Sequence, residues 1–147
     1  MHLCSWYIKL AFFRKTCFRR LTLAAKLFIK MKNMLKQELR QYPLSKAVRN
    51  GRCGTCPKTL TQFLDTCGQA GTKMSNEQCR QLHIDVLDIL LDTICDTLIA
   101  KCWRGWCLDN TYKPLSYVRV LSTSPEQKRE LAQIENKMRA LSHYFLT

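Results

Sequence analysis

Over residues 19–40 polar positions recur at steps of three and four. Arg19, Thr22, Lys26, Lys30, Asn33, Gln37 and Arg40 form one basic stripe in a stretch that has neither Gly nor Pro. That spacing predicts a helix, with Leu23, Leu27, Phe28, Met31, Met34 and Leu35 beside the stripe and around to its far side. The residues before it are dense in aromatics (Trp6, Tyr7, Phe12, Phe13, Phe18) and read as helical with looser periodicity. Pro43 ends the run, because its ring disfavours a helical residue before it. Residues 45–59, with Asn50-Gly51, Gly54 and Pro57, read as a turn-rich joint.

A longer helix is predicted over residues 76–103. Gln78, Gln81, Asp85, Asp88, Asp92 and Asp96 draw its polar face, and Leu82, Val86, Leu87, Ile89, Leu90, Ile94, Leu98 and Ile99 its broad apolar face. Ser75 is the N-cap, with Gln78 three residues on as the partner of a capping box. The acidic face is either the solvated side of a core helix or a dock for the basic helix, within the chain or in a dimer. Gly105 is expected to break the helix. Residues 115–122 then alternate and are rich in Tyr and Val, which predicts one short strand. Ser124, Pro125 and Gln127 open a last helix as N-cap, first residue and third residue. Along it Leu131, Ile134, Met138, Leu141 and Phe145 make a heptad seam, for the chain's own core or for a homodimer.

The fold class implied is mainly α. A small helical domain over residues 43–147, with a zinc-stapled loop and one short strand, follows a basic amphipathic helical arm over residues 1–42. Charge sharpens this division. Of 24 Lys and Arg, 13 precede Cys53, against one acid there (Glu38), so the first 52 residues hold +12 of a net +13. Cations break every apolar run in residues 1–36, so no signal peptide is expected, and no 18-residue apolar span argues for a membrane-crossing helix. Residues 1–37 are basic and free of acid, as mitochondrial presequences are, but they are Lys-heavy and poor in Ser. Nine cysteines, an odd number without a secretory signal, indicate a reducing compartment rather than a disulfide framework.

Cys53-Gly-Thr-Cys56 has the spacing by which two thiolates reach one zinc from a tight turn. Cys79 and His83, one helical turn apart, would complete a three-cysteine, one-histidine set, and Cys67 could replace either. The alternative is a group of reduced structural cysteines with a surface histidine. A redox reading of the same Cys-x2-Cys lacks the strand and helix that a thioredoxin-like unit needs. Cys102 and Cys107, with Cys95, are a further candidate metal group, against a core role for Cys95 with Trp103 and Trp106 packed over the end of the domain. There is no Gly-rich phosphate loop, no Gly-x-Ser-x-Gly elbow and no histidine beside a nucleophile, so an enzyme is not expected.

Polyanion binding has its parts. Arg14, Lys15, Arg19, Arg20, Lys26 and Lys30 are the candidate phosphate contacts, and nearby aromatics are candidates for stacking on unpaired bases. Engaging roughly 6–8 phosphates would cost about three to four orders of magnitude in affinity between 50 and 200 mM salt. The same segment also suits an anionic membrane surface, with Trp6, Phe12 and Phe13 buried among lipids. In make-up (short, basic, cysteine-rich, with Cys53-Gly-Thr-Cys56 and a heptad-like last helix) the chain resembles the small accessory proteins of plant RNA viruses, including the silencing suppressors of sobemoviruses. That resemblance implies RNA and zinc binding, suppression of host RNA silencing, contact with silencing-pathway proteins, help with viral spread, and residence in host cytoplasm or nucleus.

Overall fold

A computed structural model of the chain describes residues 36–51 and 57–146. Residues 36–41 are helical, and six helices follow: α1 (Pro43–Arg49), α2 (Lys58–Gly71), α3 (Asn76–Cys95), α4 (Lys101–Asp109), α5 (Tyr112–Leu121) and α6 (Pro125–Leu146). The protein is mainly helical, and no strand occurs among the described residues. Residues 36–146 belong to one compact unit.

Helix α3 is the centre of that unit and touches each of the other five. Thirteen of its twenty residues are buried, so it has core on most of its circumference rather than one dry face. Phe63, Leu60, Leu64 and Cys67 of α2 meet Val86, Ile89, Leu90 and Ile94 of α3, with Trp103 and Cys107 of α4 closing this cluster. A second cluster joins Ile84 and Leu87 to Leu115 and Val118 of α5, under Leu131, Ile134 and Met138 of α6. The heptad positions of the last helix through Leu141 therefore pack on the chain's own core.

Local chemistry sets the helix ends. Ser75 and Gln78 form the expected capping box, the Gln78 N–H donating to Ser75 Oγ and the Ser75 N–H to Gln78 Oε1. Ser124 and Gln127 repeat the arrangement at α6. Pro43 ends the first helical run and opens α1 at its first position, where its missing N–H is no loss. The buried Ser45 Oγ ties the two by donating to the carbonyls of Leu39 and Tyr42. Gly51 takes φ +58° after α1, a conformation that favours glycine.

Four expectations are corrected. Helix α3 stops at Cys95 instead of running to residue 103, because the Asp96 carboxylate accepts the Leu98 N–H and takes the chain out of the helix. Leu98 is consequently 95% exposed in the loop. Gly105 lies inside α4 and breaks nothing. Residues 115–122 are not a strand: Pro114, Leu115 and Val118 are buried at helical spacing in α5. The expected joint over residues 45–59 is helical at Ser45–Arg49 and again from Lys58; Cys53 and Cys56 of the expected zinc-stapled loop lie outside the described residues.

Candidate functional site

Asp88 and Asp92, one turn apart on α3, and Asp96 at its C-cap follow one another by four residues. Lys36 Nζ meets Asp88 at 2.6 Å, Arg40 meets Asp92 at 3.0 Å, and Arg49 meets Asp96 at 2.8 Å. Lys36 and Arg40 are one turn apart, so two helical repeats are matched charge for charge. The acidic rail thus holds the last turns of the basic segment within the chain. Arg40, Arg49 and the exposed Lys46 also border a pocket of about 160 Å³ above Asp92 and Ile89. The Arg49 guanidinium, then the Leu98 N–H, hold the Asp96 carboxyl below its ordinary range. A carboxylate lowered in the folded state stabilises it at neutral pH, and that contribution is lost as pH falls through the lowered value.

The upper part of the predicted polar face has another fate. Gln81 and Asp85 are buried and joined, Gln81 Nε2 donating to Asp85 Oδ1 at 3.0 Å, where solvation was expected. Arg80, 1% exposed, donates from Nε to Ser122 Oγ at 3.1 Å and pairs with Glu77 and Glu130. It links α3 to the end of α5 and to α6. Nothing in the hydrophobic pattern marked it.

Of the expected metal ligands, Cys53 and Cys56 lie outside the described residues. Cys79 and His83 sit on α3 one turn apart, both buried, so His83 is no surface residue. Both crowd α2: a methyl group on Gly71 would lie 2.9 Å from Cys79 Sγ and 3.5 Å from His83 Nε2, so a side chain there would have to displace the Cys79 thiol. Burial raises the Cys79 thiol and lowers the His83 imidazole to about 4, so the ring is neutral at physiological pH. Neither ring nitrogen has a hydrogen-bond partner, which leaves both free to act as donor or ligand. The described donors supply two of the four that zinc would need. No three His, Cys, Asp or Glu side chains converge on one point among the described residues, so Cys67 does not complete a triad with them, nor do Cys95, Cys102 and Cys107. Burial pushes Cys67 and Cys107 up to about 12, as for inert core thiols. Trp103 is buried in the core, donating from Nε1 to the Val48 carbonyl at 2.9 Å, with Trp106 edge-on at 6.0 Å.

The His83 ring stacks on Tyr117, centroids 4.1 Å apart and planes within 5°. The pair lines a cleft of about 500 Å³ between α2 and α5. The candidate phosphate contacts Arg14, Lys15, Arg19, Arg20, Lys26 and Lys30 lie outside the described residues. No family model, curated protein or solved structure matches the chain.

Proposed function

We propose that the chain binds RNA with low sequence specificity through Arg14, Lys15, Arg19, Arg20, Lys26 and Lys30, and that it withholds viral or small RNA from host silencing and so aids viral spread. The observation that carries the reading is the segregation of charge, +12 in the first 52 residues against +1 in the rest. A potential so concentrated draws phosphates by releasing their counterions, with no need for base contacts. The rail is consistent with this division of labour. It engages Lys36, Arg40 and Arg49 near the C-terminal end of the basic stretch. Lys46, beside Arg40 and Arg49 at the small pocket, adds a phosphate contact at the junction.

Zinc belongs to the same proposal as a staple held by Cys53, Cys56, Cys79 and His83. When bound it would tie the loop before α2 to α3 and add folding free energy. Metal analysis of the purified chain should give one zinc that Cys53→Ser removes; absence of stoichiometric metal ends that part.

The test of RNA binding is a parallel titration of short duplex RNA and of anionic vesicles across a salt series. Affinity for RNA that falls steeply with salt is the expected result. Retention by vesicles without binding to RNA would replace this reading by a membrane-surface one.

A further inference from the structure

We propose that the cleft between α2 and α5 binds one unpaired nucleotide, with its base against the His83–Tyr117 stack and its phosphate at Lys113. The volume of about 500 Å³ falls within the range of small-ligand sites, roughly 300–1,000 Å³.

His83 provides the first reason. It is 2% exposed, lines the cleft, and has no hydrogen-bond partner at either nitrogen. Buried polar atoms are nearly always partnered, and a neutral imidazole carries one donor and one acceptor on separate edges of its ring, so one nitrogen can serve zinc while the other is left for a base. The polar edge of a base offers that partner.

The aromatic walls provide the second. Tyr117, stacked on His83, is 45% exposed, and Tyr112, which lines the same cleft, is 62% exposed. Proteins that hold unpaired bases stack them on such rings. Lys113 of α5 brings a cation to the rim, and Asp65 of α2 an acceptor for ribose hydroxyls.

Gly68 provides the third. It lies inside α2, where glycine weakens a helix. Unlike Gly71, it is not required by packing: a methyl group there would lie 3.7 Å from Tyr117 Oη, an ordinary contact. What its missing side chain does is leave the α2 wall of the cleft open.

The inference extends the RNA reading by giving it a seat for one exposed base, yet the two fail separately. The experiment titrates the full chain with uridine and adenosine 5′-monophosphates, uridine and inorganic phosphate, following the ring nitrogens of His83 by NMR. Both nucleotides should move those resonances saturably, uridine more weakly, and phosphate alone should leave them in place. Gly68→Leu, which fills the cleft, should weaken nucleotide binding about tenfold or more, roughly the worth of one lost hydrogen bond. His83→Phe, followed at the backbone amide of Tyr117, should do the same. No saturable shift at His83, or equal affinity in Gly68→Leu and the parent, overturns the proposal. If His83→Phe fails to fold, Gly68→Leu decides. Duplex RNA measured on the same proteins separates the two readings. Salt-sensitive duplex binding without nucleotide binding sinks only the cleft, and nucleotide binding without duplex binding sinks only the reading based on charge.

Discussion

Arg80 shows how much one residue can do that no pattern announces. Its guanidinium is buried, but Glu77 and Glu130, which pair with it, keep part of their surface in water. Replacing it with a hydrophobe of similar length should therefore be mild, since the acids can rehydrate. Arg80→Ala, which leaves a cavity and takes away the donor to Ser122 Oγ, should cost about 2–4 kcal/mol in urea unfolding, and Arg80→Met clearly less. His83 was singled out from the sequence for its spacing from Cys79, but its burial and stack on Tyr117 were not visible, because Tyr117 belongs to a segment read as a strand. Its lowered pKa has a sign that can be tested. The unfolded chain takes up a proton near the usual histidine value while the fold resists until about 4. Stability should therefore fall as pH drops from about 6.5 toward 4, and His83→Phe should flatten that part of the profile.

At the scale of elements, what was legible was what repeats along a single helix face. The centre of α3, its capping box and the start of α6 followed from period and capping chemistry. Helix α2 carries as clear a period, Leu60, Phe63, Leu64 and Cys67, but Gly68, Gly71 and several threonines disguised it. In α5 the alternation of Tyr and Val imitated a strand while Leu115 and Val118 kept helical spacing. Gly105 was misread for a related reason: glycine marks a helix end only where the backbone needs it. Here a side chain would meet nothing within 4 Å, so Gly105→Ala should stabilise the protein by about 0.5–1 kcal/mol, measured as a raised unfolding midpoint. The rail invites a different test. Its ion pairs are partly solvated, so Asp88→Asn, Asp92→Asn and Asp96→Asn together should alter stability little. They should nonetheless tighten RNA binding at low salt, since three negative charges leave the neighbourhood of the phosphates, and speed hydrogen exchange over residues 36–41.

The described unit is built on one central helix, α3, which grips Lys36 and Arg40 near the end of the strongly basic stretch over residues 1–52. The division by charge could be read from composition alone. The grip could be read only as one of two alternatives for the acidic face, because sequence spacing gives a face its chemistry without saying what lies against it. Of the candidate site, the sequence spacing put Cys79 and His83 together, while the cleft beside His83 was not legible at all, since it arises between helices that only tertiary packing brings together.

The decisive measurement is duplex RNA affinity against salt for the full chain with Arg14, Lys15, Arg19, Arg20, Lys26 and Lys30 all changed to Gln. If these six contact phosphate, the slope of log affinity against log salt should shrink by about 5, with most low-salt affinity gone. An unchanged slope and affinity would contradict the assignment of RNA binding to the basic front of the chain.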